Sequence, residues 1–249
     1  MAGDEPDRAP GASGFRWLQR RLAALGVGQG PEVARHSAGR WVVLDVEATG
    51  LDAHRDVLLA VAAVAIEVPV TGSGRPAILL GDAFECVLRE EETEVQVLAD
   101  DARANILLHG IGMGSRRAGV DRLQAMQALE RWLDGAPVLG FHVAFDATLL
   151  QRQRASLRLP AMAGPFIDLE HVAQALMPQT GGRSLDDWMR RLGVHCSERH
   201  RASADALATA EVLLRLWPAV AREAGSGPVR WQTLQRLAEA RKWLARAER

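Results

Sequence analysis

Three apolar segments lie close together in the first half of the chain, at residues 41–46, 57–68 and 77–88. β-Branched and other apolar residues dominate all three, and a Pro/Gly-containing stretch at residues 69–74 separates the second from the third. Runs of this length and composition, joined by short turns, are typical of antiparallel strands that follow one another in a meander. We therefore expect a sheet whose first three strands are antiparallel.

A different pattern follows this block, with short apolar segments alternating with longer segments of helical spacing. The short segments, residues 138–141 and 166–167, are predicted to be strands. The predicted helices are residues 121–133 with Asp121 as N-cap, residues 144–157, a helix from Asp168, a helix from Ser184 with a cap-forming Asp187, and about residues 203–217. Because alternating strands and helices build parallel sheet, the predicted fold class is α/β. It is a mixed sheet, antiparallel first and then parallel, flanked by helices.

The two ends of the chain differ from the segment 39–222, which we expect to form the main domain. Residues 1–38 are predicted to be an extension and linker, partly disordered because its start is rich in Pro and Gly and lacks apolar periodicity. Residues 223–249 are predicted to form a basic amphipathic helix. Its apolar positions share one face: Trp231, Leu234, Leu237, Ala238 and Leu244. This helix either packs back on the domain or docks a partner or a nucleic acid.

Composition limits where the chain works and what it can bind. The formal net charge is −1, so any nucleic acid must be held by a local site and not by a global basic field. Only Cys86 and Cys196 are present, which argues against a disulfide framework. The apolar run at residues 57–66 is too short to span a bilayer, and the N-terminus lacks the apolar core of a signal peptide. We expect a cytoplasmic protein without a membrane partner.

Asp45 and Glu47 are two residues apart at the end of the first predicted strand. Side chains at this spacing project from the same face of a sheet, so the two carboxylates are expected to lie side by side. Their repulsion is relieved most easily by a cation, and hard oxygen ligands suit Mg²⁺ or Mn²⁺. Taken alone, the pair is equally consistent with a solvent-exposed strand end.

Two further acids and a histidine occur at predicted junctions. Asp146 follows the strand at residues 138–141 and lies near the start of a helix, and Asp205 lies in the first turns of another helix with His200 on the loop before it. Singly, Asp146 is explained by a favourable interaction with the helix dipole, and His200 by a surface loop. A histidine that titrates near neutrality can also serve as a general base.

Together these segments resemble the DEDDh family of 3′→5′ exonucleases, which includes the epsilon-type proofreading subunit of bacterial replicative DNA polymerase and the oligoribonucleases. The matching motifs are Asp-x-Glu-x-Thr-Gly-Leu from Asp45, Phe-Asp at Phe145, and His-x-x-x-x-Asp from His200. Lesser similarities are His109-Gly110-Ile111 and residues 184–194. The resemblance covers about residues 41–217.

The resemblance implies a ribonuclease H-like fold and a two-metal mechanism that releases 5′-nucleoside monophosphates. It assigns two divalent cations, Mg²⁺ or Mn²⁺, to four carboxylates, and the general base to His200. The four implied metal ligands, which are also catalytic, are Asp45, Glu47, Asp146 and Asp205. The implied contacts to the 3′-terminal nucleotide are Thr49, Gly50, Leu51, His109, His142 and Phe145. His142 departs from the family, in which this position is often Asn preceded by His.

Three functions remain open at this point. The leading hypothesis is an exonuclease on single-stranded DNA 3′ ends, and the second is an exoribonuclease or oligoribonuclease. The third is a non-catalytic, polymerase-associated module that binds nucleic acid, which the retention of all five catalytic residues argues against. A DNA polymerase subunit is a candidate partner. The basic stretch 112–117 is expected to be a flexible loop that either contacts substrate or is merely solvated.

Overall fold

A five-stranded mixed sheet forms the centre of the protein in the computed structural model, which describes residues 39–71, 74–90, 113–162, 164–196 and 198–247. The strands are β1 (Arg40–Ala48), β2 (Leu58–Glu67), β3 (Ala77–Val87), β4 (Val138–Gly140) and β5 (Phe166–Asp168). Their order across the sheet is β3-β2-β1-β4-β5. The β1–β2 and β2–β3 pairs are antiparallel, and the β1–β4 and β4–β5 pairs are parallel. The predicted fold class is confirmed.

Seven α-helices are described beside this sheet. They are α1 (Met113–Arg117), α2 (Arg122–Leu133), α3 (Val143–Ser156), α4 (Leu169–Leu176), α5 (Leu185–Leu192), α6 (Ala202–Ala224) and α7 (Trp231–Ala247), with a 3₁₀ turn at Pro178–Thr180. The predicted caps are present: Asp121 accepts hydrogen bonds at the start of α2, and Ser184 and Asp187 form a reciprocal capping box at the start of α5. These caps explain why the sequence placed both helix starts correctly.

Helix α6 is longer than its apolar pattern indicated. We predicted an end near Trp217, and the next residue is Pro218. The helix instead continues through Pro218 to Ala224. Continuation buries Val220 in the core, and the proline ring lies on an exposed side of the helix. Tertiary packing therefore outweighs the hydrogen bond that a proline removes.

Two apolar cores cover the two faces of the sheet. Side chains of β1 alternate between them, with Trp41 and Val43 in the core beneath α6 and Val42 and Leu44 in the core beneath α2 and α3. Strand β2 is buried along nearly its whole length, because helices or loops cover both of its faces. The alternation along β1 places Asp45 on the same face as Trp41, which is the face of α6.

The C-terminal helix α7 packs against α4 and α6. Leu234 and Ala238 are buried, and the Trp231 ring meets the Trp41 ring edge-on at 5.2 Å between centroids. These contacts favour the packed-back interpretation of this segment over a free docking helix. The predicted extension at residues 1–38 lies outside the described residues.

The basic stretch at residues 112–117 differs from the expected loop. Most of it forms α1, and Arg116 is only 1 % exposed, with its Nη1 2.8 Å from Glu90 Oε1. Pairing with a buried carboxylate accounts for the burial of this guanidinium. Arg116 is therefore neither a solvated residue nor one that can reach a substrate.

Among the described helices, none combines the length and apolar character needed to cross a membrane.

Candidate active site

Three carboxylates from two distant parts of the chain converge at the end of β1. Asp45 and Glu47 come from β1, and Asp205 comes from the first turn of α6, which covers that face. One oxygen from each lies within 4.8 Å of the others. The residues opposite the two β1 acids on β2 are Ala62 and Ala60, whose small side chains leave room beside the carboxylates.

Asp146 lies beside this group but is not part of it. It occupies the first turn of α3, is 4 % exposed, and accepts a hydrogen bond from the Val46 N–H at 3.0 Å. This bond ties the fourth acid to the β1 backbone between Asp45 and Glu47. The structure therefore brings all four acids to one end of the sheet: oxygens of Asp45, Glu47 and Asp205 lie within 4.8 Å of one another, and Asp146 is hydrogen-bonded to the backbone of β1.

Burial of so many acids changes their protonation. The pKa of Asp45 is raised well above its ordinary value, first by burial and then by the negative charges of Asp146, Glu47 and Asp205. Burial likewise raises the pKa of Asp146 to about 8, although backbone hydrogen bonds, including that from Val46, oppose the shift. Without a cation these two acids therefore resist ionisation, and a divalent cation would favour their charged, metal-binding forms.

His200 lies directly before the helix that carries Asp205. Its backbone is left-handed, with φ of 64°, and its N–H donates to Asp205 Oδ2 at 3.2 Å. The imidazole is exposed to solvent. The histidine is thus held by its backbone at the edge of the acid cluster, with its side chain at the solvent-exposed surface.

Arg199 contributes a cation that the sequence analysis missed. Its guanidinium forms an ion pair with Asp205 and another with Asp186, at 2.6 Å, on α5. Burial raises the pKa of Asp205, and the hydrogen bond and charge of Arg199 oppose that rise. The position of Arg199 next to His200 was the one available signal, but an arginine in a loop does not by itself indicate a carboxylate partner.

The loop after β1 is organised by Asp56, which the sequence analysis also passed over. Thr49 is buried, donates its hydroxyl hydrogen to Asp56 Oδ1 at 2.9 Å, and accepts from the Val57 N–H. A Cβ at Gly50 would lie 2.5 Å from Asp56 Oδ2, so a larger residue here would have to displace this carboxylate from its contact with Thr49. Leu51 at the tip is 95 % exposed. Thr49 and Gly50 therefore shape a loop that presents Leu51 to solvent.

The remaining predicted binding residues fall into three situations. His142 has a left-handed backbone with φ of 57°, is exposed, and its Nε2 lies 3.0 Å from Glu170 Oε2. Its N–H donates to Asp168 at the end of β5, so two acids that were not predicted hold this histidine. Phe145 is half-buried against the core beneath α3. His109 lies outside the described residues.

The sheet order, with acids at the end of the central strand, defines a ribonuclease H-like fold. Escherichia coli exonuclease I in complex with a dA16 oligonucleotide superposes with a TM-score of 0.60 at 16 % identity, covering 74 % of this chain and 42 % of that one. The zinc-bound exonuclease I complex with single-stranded DNA gives a TM-score of 0.55 at 18 % identity, covering 72 % and 40 %. At these identities the likeness shows the fold alone.

Sequence comparison identifies the family, within proteins of this fold, to which the chain belongs. The family model described as Exonuclease (RNase_T) matches residues 42–213, and the chain therefore belongs to the exonuclease family. A PolC-type DNA polymerase III of Lacticaseibacillus paracasei is 28 % identical over 186 residues, covering 72 % of this chain and 11 % of that protein. A DNA polymerase III subunit epsilon-like protein of Rhodobacter capsulatus is also 28 % identical, covering 72 % and 24 %. The chain thus spans between a tenth and a quarter of these relatives' lengths.

Proposed function

We propose that this nuclease domain is a metal-dependent 3′→5′ exonuclease that releases 5′-nucleoside monophosphates from single-stranded nucleic acid, with DNA preferred. The observation that carries the proposal is the convergence of Asp45, Glu47 and Asp205 within 4.8 Å at the end of β1. Burial raises the pKa values of Asp45 and Asp205, and clustered acids with such shifts are typical of sites that bind cations or perform proton transfer.

The donor set fits two divalent cations, Mg²⁺ or Mn²⁺. Asp45, Glu47, Asp146 and Asp205 offer hard carboxylate oxygens. The pKa values of Asp45 and Asp146 are raised first by burial and then by neighbouring negative charges, both of which a bound cation would counteract. When bound, two such cations stabilise the attacking and leaving oxygens of an in-line displacement at phosphorus. Their charge also explains how a chain of net charge −1 can hold a phosphodiester at this site.

The chain's own residues supply the remaining steps. We assign the general base to His200, whose exposed imidazole can take a proton from the attacking water. The exposed Leu51 can stack on the terminal base, on a loop held by Thr49, Gly50 and Asp56. We also assign His142, whose ring is held by Glu170, a contact with the terminal nucleotide.

The preference for DNA and the polymerase partner are supported by the relatives. Similar proteins are DNA polymerase III enzymes or an epsilon-like subunit, and several of the similar solved structures contain deoxyribonucleotide oligomers. We therefore propose a single-stranded DNA 3′ end as the substrate and a DNA polymerase subunit as a candidate partner.

The test uses the 249-residue chain and single strands of one sequence, as DNA and as RNA, labelled at the 5′ end. With Mn²⁺ or Mg²⁺ we expect a ladder of labelled products that shorten nucleotide by nucleotide, faster for DNA, and no reaction in EDTA. Immediate release of a labelled mononucleotide would show that the chain degrades the strand from its 5′ end, contrary to the proposal. Binding without cleavage would support the non-catalytic, nucleic-acid-binding module instead of an enzyme. Faster cleavage of RNA than of DNA would support an exoribonuclease instead of a deoxyribonuclease.

Replacement of the proposed base provides a sharper test. His200→Ala should lower the cleavage rate about a hundred- to ten-thousand-fold, the usual contribution of general base catalysis. Binding of Mn²⁺ should be retained, because the carboxylates remain. His195→Ala is the matched control, since His195 is also exposed and lies on the same connection between α5 and α6. Equal rates for the two variants would remove His200 from the mechanism.

A further inference from the structure

Arg199 lies between the acid cluster and the surface, in the connection from α5 to α6. Its Nε donates to Asp186 Oδ1 at 2.6 Å, and its Nη1 pairs with Asp205 Oδ1. The arginine side chain is 22 % exposed and that of Asp205 is 11 % exposed, whereas that of Asp186 is 51 % exposed. The guanidinium therefore links an inner acid of the site to an outer acid on the surface.

Both oxygens of Asp205 are engaged in this arrangement. Oδ2 accepts the backbone N–H of His200 at 3.2 Å, and Oδ1 faces the guanidinium of Arg199. A divalent cation that binds Asp205 would share an oxygen with one of these two donors. The backbone N–H is fixed by the fold, but the arginine side chain can rotate away. A cation that binds Asp205 would therefore displace the Arg199 side chain and not the His200 N–H.

A guanidinium and a divalent cation on the same carboxylate repel each other, and repulsion is stronger in a partly buried site than in water. Asp186 offers an alternative position for the guanidinium, because it already holds the Nε end and remains accessible at the surface.

We propose that Arg199 is an internal counter-ion of Asp205 in the metal-free protein, and that a divalent cation displaces it onto Asp186. Arg199 is then a positioning residue that stabilises the empty acid cluster and lowers the affinity for the metal. The inference rests on the proposed function, since it takes Asp205 to be a metal ligand.

Calorimetric titration of the EDTA-treated, full-length chain with Mn²⁺ tests this competition. Arg199→Gln should bind Mn²⁺ at least about fivefold more tightly than the unchanged protein, the lower end of typical coupling between two ligands of one site. Arg201→Gln is the matched control, because Arg201 is exposed and pairs with the exposed Glu198 at 2.9 Å. Its Mn²⁺ affinity should equal that of the unchanged protein.

Thermal unfolding separates competition from a purely structural role. Without metal, Arg199→Gln should melt at a lower temperature, because the acid cluster loses its counter-ion. At saturating Mn²⁺ the deficit should shrink, since tighter binding to the folded state compensates for it. A merely structural contact would leave the deficit unchanged. Arg199→Lys, which keeps the charge but lacks the planar fork that reaches two carboxylates, should give an intermediate affinity.

Three outcomes would overturn the role of Arg199: an unchanged or weaker Mn²⁺ affinity in both Arg199 variants, a melting deficit that persists at saturating Mn²⁺, or an equal gain in Arg201→Gln. Failure of the proposed function is seen separately, as the lack of Mn²⁺-dependent cleavage by the unchanged chain. The binding measurements decide the competition whether or not cleavage occurs.

Discussion

Asp146 shows how strongly this fold perturbs a single residue. Its carboxyl group is 4 % exposed and lies near other acids, and its pKa is raised from 3.8 to about 8. It therefore keeps its proton at pH values at which an ordinary aspartate has lost it. Burial is the largest cause, and the hydrogen bond from Val46 only partly offsets it. The burial of this acid beside β1 therefore makes the metal-free site sensitive to pH.

This sensitivity has a definite sign. Between the ordinary value of 3.8 and about 8, the folded chain retains a proton at Asp146 that the unfolded chain has released. The stability that this proton confers is present at low pH and is lost as the pH rises through about 8. Asp146→Asn cannot ionise but still accepts from Val46. In EDTA, we expect its melting temperature to exceed that of the unchanged protein increasingly as the pH rises through this window.

Thermal unfolding at several pH values measures this difference. Glu223→Gln is the control, because Glu223 is an exposed acid near the end of α6, far along the helix from Asp205. Parallel curves of melting temperature against pH for Asp146→Asn and the unchanged protein would show that Asp146 does not hold its proton in the folded state.

At the scale of the elements, helices α6 and α7 both complete the core beneath the acid site. Helix α6 carries Asp205 in its first turn and buries Leu213, Leu216 and Val220 further along. Helix α7 covers part of the same core. The apolar packing of α6 and α7 thus holds the acids in place, because the acids themselves repel one another.

A single substitution tests whether α7 belongs to this core. Leu234 is 0 % exposed, so Leu234→Ala should lower the free energy of unfolding by about 2–5 kcal/mol, as expected when a buried leucine is truncated. Arg236→Ala on the same helix is the control, because Arg236 is exposed. Urea denaturation measures both. If the two variants unfold at the same urea concentration, α7 does not pack on the domain in solution.

At the scale of the whole molecule, the site depends on the two-layered cover of the sheet. Helix α3 approaches β1 from one face and α6 from the other, and both begin at the end where β1 finishes. Asp205 therefore reaches Asp45 and Glu47 from the start of α6, and Asp146 reaches the backbone of β1 from the start of α3. Because the net charge of the chain is only −1, a nucleic acid would have to be held by this local site and not by the overall charge of the protein.

Local rules in the sequence were sufficient for the strands, the mixed sheet, two helix caps and the shared face of Asp45 and Glu47. These features depend on apolar periodicity and on hydrogen bonds between residues a few positions apart, which can be read directly from the chain. The same pattern, with the resemblance that it carries, also indicated the acids and His200, which the structure places together at one end of the sheet.

Tertiary structure alone decided the contacts between residues far apart in the chain. The hydrogen bond of Asp146 to Val46, the packing of α7 on Trp41 and the pairing of Arg116 with Glu90 join segments that no local pattern connects. Arg199 illustrates the physical reason. Its charge is evident in the sequence, but its partners Asp186 and Asp205 are chosen by how α5 and α6 pack, because a long side chain pairs with whichever carboxylates the fold brings within reach.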